Sequence, residues 1–289
     1  LFNSTPSAAS CDFSDKTSGT YTVPPTGCQL SQMITVDGIM NVSGVQGDSP
    51  LRELAAAGSL KRHFSLPAAN TAELYLSFLR LTGGRVPHTY SSHSQNSGSN
   101  IFMEGPNSKT DIRFCYFLGA CGGTPCASHG GSIFSWKSGA VLSIAHSTFE
   151  GYKSNSGGGA LYLYSSTVAT LRSTTFIDNT CGSSGDPGGA IEIWSNSHVN
   201  MKGNNIFRGN KASPGWGNSI YTEQTSTLTF EECIPGTYQP ALKSKNLDND
   251  FTGCPLSCPA GKTTANFPEY AARKKMKEQT IVRIRATSA

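Results

Sequence analysis

A short pattern returns four times in this chain at nearly constant spacing, and no other feature restricts the fold as much. Gly131-Ser132-Ile133 is followed by Ser147-Thr148-Phe149. Gly159-Ala160-Leu161 is followed by Thr174-Thr175-Phe176, and Gly189-Ala190-Ile191 by Asn205-Ile206-Phe207. Asn218-Ser219-Ile220 leads to Thr227-Leu228-Thr229-Phe230. The starts lie 28, 30 and 29 residues apart. Each unit reads as a small pair, an apolar strand, a turn, a second strand with a Phe, and a Gly/Asn/Ser loop. Within the strands apolar residues alternate, as in Leu161 and Leu163 against Tyr162 and Tyr164, or Val199 and Met201. Period two with β-branched and aromatic residues means strand.

A unit of about 29 residues with three short strands cannot bury its inner face alone. Stacking units about 4.8 Å apart pairs each backbone with the one below and turns the inward side chains into ladders. The expected fold is all-β, a parallel β-helix solenoid. Ile133, Leu161, Ile191 and Ile220 should form one inward ladder and Phe149, Phe176 and Phe207 a second. The glycine pairs at 130–131, 158–159 and 188–189 fit corners that admit only small residues.

Upstream the repeat continues in weaker form. Residues 74–84 and 112–117 have the strand character, and Ile34-Thr35-Val36 and Met40-Asn41-Val42 read as short strands. Residues 51–60 (LRELAAAGSL) are the best helix candidate, since Ala, Leu, Glu and Arg dominate them. Residues 91–100 (SSHSQNSGSN) read as a polar, mobile loop. The expected division is a disulfide-stapled N-terminal cap at 1–31, the solenoid at 32–231, a short cysteine-rich module at 232–265 and a basic tail at 266–289. The chain begins at Leu1, so a removed leader or a longer parent is expected.

Composition agrees. Charged residues are only 15%, while 14 Phe, 10 Tyr and 3 Trp are too many for a disordered chain. The net charge of +4 collects at Arg273, Lys274, Lys275, Lys277, Arg283 and Arg285, so the body carries no nucleic-acid footprint. Nine cysteines without zinc-ligand spacing point to an oxidising, extracellular or cell-surface location. Cys11 with Cys28 is the expected N-terminal bridge. Cys233 should pair with Cys254 or Cys258, and one bridge should form among Cys115, Cys121, Cys126 and Cys181. An odd count leaves at least one thiol free or linked to another chain. Two sequons, at Asn3 and Asn41, agree with secretion as candidate glycosylation sites.

The Gly-Gly-Ala pairs with a downstream Phe-x-x-Asn, at Phe176-Ile177-Asp178-Asn179 and Phe207-Arg208-Gly209-Asn210, resemble the repeats of polymorphic outer membrane proteins. That resemblance implies a right-handed parallel β-helix on the cell exterior, used for adhesion or as a structural element. Two units depart from the motif, with Tyr152 where Asn is expected and Trp216-Gly217-Asn218 in place of Gly-Gly.

No catalytic, cofactor or metal residues emerge. Hydrolysis of a glycosidic bond needs two carboxylates facing one another across the substrate. The repeats offer only Glu150, Asp178, Asp186, Glu192 and Glu223, without an Asp-Asp pair, and Glu192 should face outward. Lys137, Lys153, Arg172 and Lys202 are scattered. Phe134, Trp136, Tyr162, Tyr164 and Trp194 fall on the outer face of neighbouring units. An exposed aromatic stripe needs a cover: a glycan, a loop, a side helix or another subunit. The expected role is a non-enzymatic structural or adhesive extracellular module, with protein subunits or glycans as partners and no nucleic acid. A carbohydrate-active enzyme or glycan-binding domain is the alternative.

Overall fold

The computed structural model describes residues 9–56, 61–68, 71–86, 96–119, 121, 124–182, 187–213, 216–231, 237–238, 246–253 and 256–257. Every regular element there is a β-strand, and three long sheets run the length of a parallel solenoid. Sheet 1 stacks Gly19–Thr22, Ile39–Ser43, Glu73–Ser77, Lys109–Arg113, Val141–Ala145, Val168–Arg172, His198–Lys202 and Thr227–Glu231, all parallel. Sheet 2 stacks Cys28–Gln29, Arg52–Ala55, Leu79–Thr82, Tyr116–Leu118, Thr148–Glu150, Thr175–Ile177 and Ile206–Arg208. Sheet 3 stacks Ile34–Thr35, Phe64–Leu66, Ile101–Met103, Ile133–Ser135, Leu161–Leu163, Ile191–Ile193 and Ile220–Thr222. A short fourth sheet joins Lys153–Ser154, Thr180–Cys181 and Lys211–Ala212.

Both expected ladders are present. Ile133, Leu161, Ile191 and Ile220 are register partners in sheet 3 and all are buried. Phe117, Phe149, Phe176 and Phe207 stack in sheet 2 at 4.5, 5.3 and 4.9 Å between centroids. Burying each ring contributes roughly 1.5–3 kcal/mol, and each stacked pair about 0.5–1.5 kcal/mol more.

The Phe-x-x-Asn motif now has a physical reason. The Asn179 side chain donates to the Phe149 carbonyl at 3.0 Å, and Asn210 donates to the Phe176 carbonyl at 3.1 Å. Asn179 also donates from backbone and side chain to the Asn210 amide oxygen, both at 3.0 Å. A buried corner whose backbone has left the sheet would otherwise strand these polar groups. Tyr152 fills the same corner one coil earlier: its N–H donates to Asn179 at 3.1 Å, and its hydroxyl accepts from Asn100 at 2.5 Å.

The second departure follows from position. A Cβ at Gly159 would be driven into the carbonyl oxygen of Gly189, and one at Gly189 into that of Asn218. Among the described residues Asn218 ends that column: its N–H donates to the Asp248 carboxylate at 3.2 Å rather than facing another glycine, so a side chain fits, and it accepts from the Ala212 N–H at 2.9 Å.

The ends are closed by different means. At the first coil, residues 9–11 bond Gln29, Cys11 is disulfide-bonded to Cys28, and buried Phe13 stacks on Tyr21 at 5.1 Å. Thus regular coiling starts at Gly19, inside the segment expected to be only a cap. At the last coil, Asn246–Leu247 and Phe251–Thr252 add antiparallel strands to sheets 3 and 2, and Phe251 extends the Phe ladder at 4.5 Å from Phe207. Within 232–265, Thr237–Tyr238 pairs with Leu256–Ser257, while Cys233, Cys254 and Cys258 lie outside the described residues. So does the basic tail at 266–289.

Two expectations are corrected. Arg52–Ala55 is a strand, not the start of a helix: its register places Leu54 between Cys28 and Leu81 in the core, and ladder pairing on both edges overrides helix propensity. Residues 96–100 are buried rather than a mobile loop, because they fold back under the next coil, where Asn100 bonds Ser132 and Tyr152.

Candidate functional site

The aromatic residues singled out by the sequence do lie on the outer side of sheet 3, but they are not an exposed stripe. Phe134 is fully buried, and Trp136, Tyr162, Tyr164 and Trp194 are half-buried. The segments that return to each sheet 3 strand fold over it. His129 stacks on Phe134 and Tyr162 at 5.9 and 5.5 Å, and Gly157 and Gly188 sit against Glu192. Their lack of side chains lets the backbone approach closely. The rings also pack on one another: Phe102 on Phe134 at 5.6 Å, Phe134 on Tyr162 at 5.2 Å, Trp136 on Tyr164 at 4.9 Å, and Trp194 on Tyr221 at 6.0 Å. Ring faces turned to each other are not available to stack on a sugar.

This covered layer also holds charge. The Arg62 guanidinium lies 4.8 Å over the Phe102 ring, and burial lowers its pKa to about 10 against the opposing charge of Glu104. The next residue, His63, turns inward to the corner between sheets 2 and 3, fully buried with Nε2 at 3.0 Å from the Leu54 carbonyl, and burial lowers its pKa to about 4. Glu192, expected to face outward, points away from the interior but is only 3% exposed beneath Gly157 and Gly188.

Among the described residues the acidic side chains of the repeats are spread over different faces of the coils. Glu192 and Glu223 both lie near Tyr221 and raise its pKa after burial does, but Glu192 is out of solvent reach. Glu150 accepts from the Tyr116 hydroxyl at 2.5 Å on sheet 2. Burial, with that carboxylate, pushes Tyr116 up to about 12, the wrong direction for a general base. Asp178 occupies a left-handed corner, and Asp186 lies outside the described residues. Lys202 pairs with Glu231 at 3.3 Å, and Lys137 is exposed. Among the described residues no group of three His, Cys, Asp or Glu is placed to hold a metal ion.

A different feature stands out at the corner between sheets 1 and 2. Phe78, Phe114 and His146 each follow a sheet 1 strand and occupy one column. Their φ values are 55°, 53° and 50°, a left-handed conformation that costs an ordinary residue about 1–2 kcal/mol. The rings stack at 5.1 and 5.0 Å with interplanar angles of 1° and 7°. Phe114 is 43% exposed, and His146 is exposed. The column continues with Ser173 and Gly203, residues better suited to that backbone. Beside it, Arg113 bonds Asp111 at 2.7 and 2.9 Å and Arg80 pairs with Glu53 at 3.4 Å. Sequence reasoning missed this ridge because Phe78 and Phe114 read as ordinary strand residues. The signal lay in the shared position one past each five-residue strand.

Of the remaining candidates, Cys121 is bridged to Cys126 and Cys181 is buried. Cys115 is a buried thiol that donates to the Arg113 carbonyl, and burial pushes its pKa to about 12, which makes it a poor nucleophile. Asn41 stands on the outer side of sheet 1, partly exposed; Asn3 lies outside the described residues. No family model matches the chain, and neither does any curated protein or solved structure. The fold shown is a parallel β-solenoid, and the motif resemblance to polymorphic outer membrane protein repeats is not joined by a match to any family.

Proposed function

We propose that this chain is an extracellular structural or adhesive module, not an enzyme, and that it works by surface contact. The observation that carries this reading is the ridge of Phe78, Phe114 and His146. Aromatic side chains there incur backbone strain and solvent exposure together, and strain held at an exposed position is a mark of function. Aromatic anchors give large contact area at low entropic cost. Because the rings stack face to face, the ridge presents ring edges, which suit an apolar protein partner better than a sugar face.

The column itself supplies the test, since Gly203 already occupies it with φ 65°. Phe114→Gly removes the ring and relieves the backbone strain, so the fold is retained. Assembly or surface attachment by the Phe114→Gly protein should fall at least tenfold, while its urea midpoint stays close to that of the parent. Unchanged attachment by a Phe78→Gly, Phe114→Gly double variant would refute the contact role.

A further inference from the structure

We propose that Asn41 carries an N-linked glycan whose first sugar lies over Ile39 and Tyr75. The proposal rests on the extracellular part of the reading above and is independent of the ridge. Asn41-Val42-Ser43 is a complete acceptor sequence, and its strand alternation is informative. Val42 is buried in the core, so Asn41 and Ser43 both point out of sheet 1. The Asn41 amide donates to the Thr20 hydroxyl at 3.3 Å in an exposed contact, and an amide bearing one sugar keeps one N–H for that bond.

The independent observation is apolar exposure on both sides of this asparagine. Ile39, two residues earlier on the same strand and face, is 56% exposed. Tyr75, the register partner of Asn41 in the next coil, is 37% exposed, with its hydroxyl held by Glu73 at 2.6 Å. A branched aliphatic side chain and an aromatic ring therefore flank the acceptor. The hydrophobic face of a pyranose attached to the Asn41 nitrogen would cover both, which removes apolar surface from water.

The transfer itself is a displacement. The Asn41 amide nitrogen bonds the anomeric carbon of a sugar carried on a polyprenyl pyrophosphate. The bond from that carbon to the pyrophosphate oxygen breaks, the pyrophosphate leaves with the electron pair, and the nitrogen loses one proton. A secretory-pathway transferase supplies the donor, and it must act before Ile39–Ser43 is closed in between its two neighbours in sheet 1.

Peptide mapping of the protein from its native source tests the site. The tryptic peptide 17–52 should carry a hexosamine-based glycan, and glycosidic amidase treatment should convert Asn41 to aspartate. In the secreted recombinant chain, Asn41→Gln and Ser43→Ala should each abolish the mass shift. Removing the glycan should raise binding of an apolar dye severalfold, and an Ile39→Thr, Tyr75→Thr variant should show no such rise. Unmodified Asn41 with the Cys11–Cys28 bridge intact would overturn the glycan but leave the extracellular reading standing. Reduced Cys11 and Cys28 would overturn that reading itself. A modified Asn41 whose release leaves dye binding unchanged would overturn the placement over Ile39 and Tyr75.

Discussion

Sheets 1 and 3 belong to the same coils and show the same alternation, yet water reaches the outer side of sheet 1 far more than that of sheet 3. In sheet 1 the strand Val168–Arg172 alternates exposed or half-exposed with buried residues. In sheet 3 the strands Ile133–Ser135 and Ile191–Ile193 are buried on both sides. The strands themselves do not set this difference. The connection into sheet 1 is a tight turn, at Ser165-Ser166 or Ser195-Asn196, with nothing to lay over the sheet. The connection into sheet 3 is longer and glycine-rich, and it folds back as residues 96–100, 128–131 and 156–159. A second buried layer therefore arises from the loops, and the aromatic residues beneath it belong to a core.

The comparison breaks most sharply at Gly159. Its backbone is ordinary, but an added Cβ meets the Gly189 carbonyl oxygen and lies 2.7 Å from the Thr180 nitrogen. Both obstacles are backbone, so no side chain can swing aside. Gly159→Ala should cost more than about 4 kcal/mol, measured by urea unfolding, through forced separation of adjacent coils. Ser143→Ala on the outer side of sheet 1 should stay within about 0.5 kcal/mol. A tolerated Gly159→Ala would mean that the covering segments are not closely stacked.

Next in size is Phe134. It touches Phe102, His129, Trp136 and Tyr162, so its removal opens a cavity inside the covered layer. Phe134→Ala should destabilise the protein by about 3–5 kcal/mol. Val168→Ala, at an exposed sheet 1 position, should change stability by less than about 0.5 kcal/mol. Equal losses at the two positions would erase the distinction between the faces.

These differences mark what the sequence can and cannot display. The period of 28 to 30 displays the coil, because each inward residue must repeat where the coil repeats: Ile133, Leu161, Ile191 and Ile220 could be aligned by eye. The covered layer leaves no such trace. Phe134, Tyr162 and Glu192 alternate with core residues as any outward side chain does, and their burial depends on where residues 128–131 and 156–159 travel in space. The helix expected at residues 51–60 failed for a related reason. A weak upstream repeat hid the register that puts Leu54 on the Leu81 ladder, and local propensity filled the gap. The ridge at Phe78 and Phe114 was hidden because backbone handedness at a corner is invisible until the corner is built.

The smallest of the three effects separates the two faces by solvent condition. The inner corner that leads into sheet 3 contains an imidazole with no access to water, and sheet 1 carries its charges in exposed pairs such as Lys109 with Glu73. The folded-state pKa of His63 is about 4 against 6.5 when unfolded. Between those values the unfolded chain binds a proton that the folded chain excludes, so stability falls as pH falls. The contribution is complete well above pH 6.5 and declines by up to about 1.4 kcal/mol per pH unit below it. Lowering the pH from 7 to 5 should therefore cost about 2 kcal/mol, before most carboxylates begin to titrate. His63→Gln should be less stable at pH 7, since the Leu54 carbonyl loses a well-placed partner, but its stability should be nearly flat across that interval. Urea midpoints of both proteins at pH 7, 6 and 5 decide the matter. Parallel declines in the two proteins would move the pH sensitivity away from His63 and from that buried corner.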